Sequence, residues 1–239
     1  VASKFATART TEESYARELR KIAVIVAGIV SNHVDGDKLV DEAGMMRMLQ
    51  NYADALTPWA LRAANRMIRA VALRNQQAFN AQAKIISTNL RLDRSIDAVV
   101  PSLQAEQVRL IKSLPIQAGE RAQNLAMQAA LDGTRSTEIA EMLAATEGVT
   151  KSRATLIART ETAKANAFIT QARSQEAGIE YYRWQTAEDG DVRPSHAEMD
   201  GKIFQFNSPP TLSDGMTGNP GEFPNCRCFA IPIIPGVED

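Results

Sequence analysis

Aromatic residues make up only 5% of the 239-residue chain, which has two cysteines and two histidines. Few aromatics beside abundant alanine favour helices packed closely through small side chains. The cysteines, Cys226 and Cys228, flank a single residue. An i, i+2 pair on a strand can share a face, but its Cα separation is near the upper limit for a disulfide. A disulfide framework is therefore excluded, and an intracellular origin is expected. Long apolar runs are also missing. The longest, Ile22 to Val30, is too short to span a bilayer, lacks a small-residue cleavage site, and ends at Ser31, Asn32 and His33. No membrane association is expected. Nor is there an overall excess of charge: the net value is −1. A chain built to condense DNA should be broadly basic, because duplex affinity comes mainly from neutralised phosphates.

The near-neutral total hides an asymmetry: residues 1–100 carry +4, residues 101–178 carry +1 and residues 179–239 carry −6. Apolar content of 44% with 23% charged residues is ordinary for a globular protein. A chain of this length buries a core without disulfide or metal staples.

Two regions differ in texture. The first 178 residues read as helix almost throughout. Tyr15, Leu19, Ile22, Val26 and Ile29 form one stripe at helical spacing, and Leu39, Met45, Met46, Leu49, Tyr52 and Leu56 form another. Thr57-Pro58 suits the cap and first position of a long helix running through Trp59, Ala63, Met67 and Ala70 to about Leu92. Pro101 and Pro115 punctuate the chain after it, so a helix from about Ile116 is expected to stop at Gly133. A short helix from about Ser136 to Ala145 should stop at Gly148, and the next should run from a Thr150 cap to Gly178. Beyond Gly178, glycine, proline and aspartate become dense. Short β-prone runs cover Glu180 to Thr186, Lys202 to Phe206 and Arg227 to Ile234, and a proline- and glycine-rich loop spans Asn207 to Pro224. The expected class is α+β. A helical N-terminal region, 1–100, with one long helix precedes a domain at 101–239, helical to about 178 and β-containing from 179.

Four places could carry function. Arg62, Arg66 and Arg69 share one face of the long helix, inside a stretch (57–94) with seven basic residues and one acid. They read as a solvated face or as a docking stripe for a partner or DNA. In the helix ending at Gly178, Glu161 interrupts a seam of Ala154, Ala158, Ala165, Phe168 and Ala172. A carboxylate there needs a cationic partner, such as Arg193 or Arg227. The acids Asp189, Asp191 and Asp200 resemble a calcium loop, but Arg193 and Pro194 stand where a ligand and a glycine are required. Asp189-Gly190 is a turn instead. Finally, His196 with Cys226 and Cys228 makes a plausible zinc set, with Asp200 as a possible fourth ligand. A hydrogen-bonded core of buried thiols and one histidine is the competing reading.

The order of these elements resembles the Mu F-like (SPP1 gp7-type) head morphogenesis family of tailed-phage minor capsid proteins. The resemblance runs through Ala158-Arg159-Thr160-Glu161, Asn166, Gly178-Ile179 and Trp184. It continues at Asp189, Arg193, His196, Asp200-Gly201, Pro209-Pro210 and Asn225-Cys226-Arg227-Cys228. It covers about residues 115–234; Met199 stands where the family more often has leucine, a volume-conserving change. The resemblance implies a non-enzymatic virion protein inside the capsid near the portal, present in the host cytoplasm during assembly. Its implied partners are the portal protein and the major capsid protein, with DNA contact secondary. It also implies that Arg159, Glu161, Asn166, Trp184, Asp189, Arg193, Asp200 and Gly201 mostly hold a fold together.

Two rival classes have specific tests. A metal-dependent nuclease would use His196, Asp189, Asp191 and Asp200, but the −6 tail would repel phosphate. A DNA-binding protein would use the basic stretch and show salt-dependent retention. An ADP-ribosyltransferase-like use of Arg159 and Glu161 fails, because residues two apart on a helix point about 200° apart.

Overall fold

A computed structural model describes residues 5–35, 38–85, 95–132 and 136–234. Among them are seven α-helices: α1 (Arg9–Ser31), α2 (Glu42–Ala55), α3 (Thr57–Ile85), α4 (Val100–Asp132), α5 (Ser136–Ala144), α6 (Thr146–Glu176) and the one-turn α7 (Pro194–Ala197). A minimal hairpin, β1 (Val34–Asp35) with β2 (Lys38–Leu39), comes directly after α1. The strands β3 (Tyr181–Gln185), β4 (Ile203–Gln205) and β5 (Phe229–Pro232) form an antiparallel sheet in the order β4-β3-β5. The class is α+β, as expected.

The chain divides into two compact units assembled from interleaved segments, so each unit draws on both sides of residue 100. One comprises 14–64 and 105–158. It is all-helical apart from the hairpin, and its core uses the stripes read from the sequence: Tyr15, Leu19, Ile22 and Val26 on α1, and Met45 and Leu49 on α2, are all buried. The α4 chain passes close to α2 at Gly119, where a Cβ would lie 2.5 Å from the Met46 sulfur and 2.7 Å from a Leu49 methyl. The Tyr15 hydroxyl donates to Gln107 Oε1 at 2.8 Å, satisfying a buried pair.

The proline and glycine punctuation from α4 to α6 differs from expectation. Pro101 sits in the first turn of α4, where a missing N–H costs nothing. Pro115 lies inside the helix and does not end it. An interior proline costs about 3 kcal/mol. Ile111 and Leu114 are fully buried on the same turn and Pro115 itself is buried, so apolar burial offsets that cost. Gly148 likewise falls in the first turn of α6 and not at a stop, and Thr150 is an interior residue whose hydroxyl donates to the Thr146 carbonyl at 2.8 Å. The break lies instead at Ala145, where Thr146 Oγ1 donates back to the Leu143 carbonyl at 2.6 Å. The expected Gly133 stop and the stretch of α3 towards Leu92 fall outside the described residues.

The second unit comprises 1–13, 65–104 and 159–239. Its central element is the latter part of α6, buried on nearly every side from Arg159 to Ser174 except at Phe168, which is 38% exposed and not part of the seam predicted for it. The helix ends as the sequence indicates. Gly178 adopts φ +71°, the Ile179 N–H reaches the Ser174 carbonyl at 2.8 Å, and the Gly178 N–H reaches Gln175 at 3.1 Å. This double bond pattern stops a helix at a left-handed residue, which glycine adopts without a Cβ penalty. Ile179 then enters a core with Phe5, Ala78, Phe79, Phe229 and Ile234. The Phe5 and Phe79 rings meet edge-on at 5.2 Å, and the Phe5 carbonyl accepts a 2.7 Å bond from Asn166. A second core under the sheet joins Tyr182, Trp184, Met199, Phe206, Leu212 and Phe223 to both cysteines.

Candidate metal centre

The final module, residues 179–234, has little helix, and side chains rather than repeating backbone bonds hold its loops in place. Trp184, fully buried on β3, anchors it. Asp200 fixes the loop after that strand: its Oδ1 accepts the Thr186 N–H at 2.7 Å and the Thr186 hydroxyl at 2.9 Å. Gly201, at φ +73°, then turns the chain so that its N–H meets the Trp184 carbonyl at 2.8 Å. Asp189 accepts from the Asp191 N–H at 3.3 Å, forming the expected turn. Arg227 pairs with Asp189 at 2.8 Å and with Asp191 at 3.0 Å.

The loop bearing the cysteines is pinned to α6. Arg159 bonds Glu12 at 3.2 Å and Asn225 Oδ1 at 2.9 Å, and the Asn225 N–H donates to Thr160 Oγ1 at 2.9 Å. Arg193 reaches the Pro224 carbonyl at 2.7 Å. Gly221, at φ +93°, lies so close to α6 that a Cβ would stand 3.2 Å from both the Ala163 carbonyl and the Ala167 methyl. Thr160, Gly221 and Asn225 were not singled out by the sequence as positioning residues. The unusual αL backbone of Asn225 and the tight pass at Gly221 emerge only once the chain is folded.

These contacts bring His196, Cys226 and Cys228 together across thirty residues of chain. His196 Nδ1 lies 3.4 Å from Cys226 Sγ and 3.6 Å from Cys228 Sγ, and the three ligand atoms lie within 4.8 Å of one another. All three side chains are buried and both cysteines are free. A tetrahedral zinc with bonds of about 2.3 Å to sulfur and 2.0–2.1 Å to nitrogen requires N···S edges of about 3.5 Å. The observed separations fit without rearrangement. The imidazole is boxed edge-on by Trp184 at 5.7 Å and by Phe223 at 4.9 Å, and its Nε2 is buried without a hydrogen-bond partner. One residue earlier, Ser195 Oγ donates to Asp214 at 2.8 Å. The Met216 N–H and then that hydroxyl hold the Asp214 carboxyl below the ordinary carboxylate range.

The cysteines behave as a pair. Cys226 is held well below the usual thiol range, chiefly by the hydrogen bond from Cys228, and further by His196 and the N–H groups of Gly221 and Cys228, against the opposing effect of burial. Cys228 is pushed up by donating that bond and by burial. Thiolate character at a buried sulfur, supported by backbone N–H groups, is what a metal ligand needs. Two expectations need correction. Asp200 is not the fourth ligand: its carboxylate is engaged by Thr186, and among the described residues the group of metal-capable side chains contains His196, Cys226 and Cys228 alone. Glu161, 3% exposed, pairs with Lys164 one turn along its own helix at 3.3 Å; Arg193 and Arg227 are engaged elsewhere. The i+3 spacing supplies one cation locally.

A small cavity of about 30 Å³ opens against the cluster, lined by Asp189, Asp191, Arg193, Asn225 and Arg227 as well as the three ligands. Asp189 and Arg227 also line a larger cleft of about 500 Å³ with Thr7, Glu12 and Phe229. Arg62, Arg66 and Arg69 are exposed on α3, remote in sequence from the cluster.

Comparison with known proteins covers much of the same stretch of chain. Residues 120–231 match the family model described as Phage Mu protein F like protein. Over that span the chain is similar to the Mu F-like family. The matched span contains α6, the three-stranded sheet up to Ile231 and the His196–Cys226–Cys228 cluster. An "Uncharacterized protein" of Haemophilus influenzae is 34% identical over 209 residues, covering 85% of this chain and 46% of that protein. The chain thus spans about half the length of the relative it matches. No solved structure matches it. No described helix is long and apolar enough to cross a membrane.

Proposed function

We propose that the chain is a minor capsid component that works at the portal, inside the phage head, in head assembly and DNA delivery, and that it has no catalysis of its own. It is made in the host cytoplasm and retained in the virion. The observation that carries this reading is what the family motif does in the fold. Arg159, Asn166, Trp184, Asp200 and Arg227 are each engaged in internal contacts that hold the second unit together. Motif residues absorbed in this way define a scaffold. Among the described residues the carboxylates that a nuclease would need form no metal-holding group: Asp189 and Asp191 line the cavity beside His196 but are paired with Arg227, and Asp200 caps Thr186.

In this reading the cluster of His196, Cys226 and Cys228 takes a structural zinc, which would supply folding free energy to a module with little regular structure. The exposed Arg62, Arg66 and Arg69 form the docking stripe for an acidic surface of the portal, with the major capsid protein as a further partner. The test is co-purification with the portal protein. Reversing the three arginines to glutamate should abolish portal capture while the purified variant still unfolds cooperatively. Capture that survives, with a loss of salt-dependent DNA retention instead, favours a DNA-binding role and overturns the docking assignment.

A further inference from the structure

We infer that the zinc centre formed by His196, Cys226 and Cys228 takes its fourth ligand from outside the protein, a water exchangeable for a small monodentate anion. This rests on the zinc reading above. Three side chains supply three corners of a tetrahedron, and no fourth His, Cys, Asp or Glu among the described residues joins them. The nearby acids are held off. Arg227 grips Asp189 at 2.8 Å and Asp191 at 3.0 Å, and Asp200 is turned to Thr186 at 2.7 Å.

The fold leaves space for such a ligand. The cavity against the two sulfurs measures about 30 Å³. That exceeds the ~10–15 Å³ of probe volume needed to hold one water, and a water also requires polar neighbours. Polar residues line the cavity: Asp189, Asp191, Arg193, Asn225 and Arg227. Arg227 is paired with both acids, but Arg193 Nη1 is buried without a hydrogen-bond partner and is a donor suited to an anion. Closed structural zinc sites use four protein ligands, whereas two thiolates and one imidazole leave one position open. The volume admits a water-sized group beside the cluster.

The experiment loads the full chain with Co²⁺ in place of zinc and tracks its visible absorption during titration with azide. The expected result is a thiolate-to-cobalt charge-transfer band, four-coordinate d–d bands, and a saturable shift of those bands as azide binds. Asp189→Asn and Asp191→Asn should each still bind Co²⁺ and keep a saturable azide shift. A chain that binds no Co²⁺ overturns the zinc reading and this inference with it. Bound Co²⁺ whose spectrum ignores azide overturns only the open position. A spectrum altered in one of the two aspartate variants then identifies that carboxylate as the fourth ligand.

Discussion

The all-helical unit and the C-terminal module stay folded in different ways. In the first, stability is spread over many apolar contacts: Leu19, Ile22, Val26, Met45, Leu49, Ile111 and Leu114 are all fully buried, and no single one defines the arrangement. That redundancy absorbs an interior proline at 115. In the module, three short strands and long connections depend on a few side chains, each satisfying a particular backbone group or ligand position. Distributed packing fails gradually. Point contacts fail one at a time, and each failure releases a loop.

The difference can be broken experimentally, starting with its largest element. With zinc bound, His196→Ala, Cys226→Ala and Cys228→Ala should each destabilise the module about as much as the triple variant, because an ion with one ligand removed is lost altogether. Smaller and partly additive losses in thermal denaturation would mean a hydrogen-bonded core without metal. Next, Trp184→Ala should cost about 3–5 kcal/mol, the range for deleting a fully buried large aromatic. Hydrogen exchange should rise across Tyr181–Pro232 and stay unchanged in α1 and α2. Equal loosening of both regions would contradict the contrast.

Smaller still is Asp200→Ala, which strands the Thr186 N–H and should cost about 1–3 kcal/mol by chemical denaturation. Glu161→Gln should cost about 1–2 kcal/mol, since Lys164 keeps partial access to water and is not left fully buried. An unchanged melting temperature for Glu161→Gln would show that its burial among alanines is not offset by charge pairing.

The sequence was legible along the same division. Helical stripes are periodic, so the buried faces of α1 and α2 could be read residue by residue. The Gly178 stop was legible because glycine came after the last helical residues and a β-prone run came next. Pro115 and Gly148 were misread because a local penalty of a few kcal/mol at most is set against packing that only the folded core supplies. In the module, the three strands and the meeting of His196 with the cysteines were legible from composition and from the need to close a long loop. The partners of Glu161 and Asp200 were not, since a short-range lysine and a threonine N–H compete with distant arginines and a metal on equal chemical terms. The role of Phe5 was hidden for another reason: its burial against Phe79 depends on a chain path with no local signal.

The central claim is that a single metal ion organises the C-terminal module, and elemental analysis of the purified chain tests it most directly. The account predicts one zinc per chain in the protein as isolated, falling to none in His196→Ala. Metal-free protein with an undisturbed module, or zinc retained in full by that variant, would contradict it.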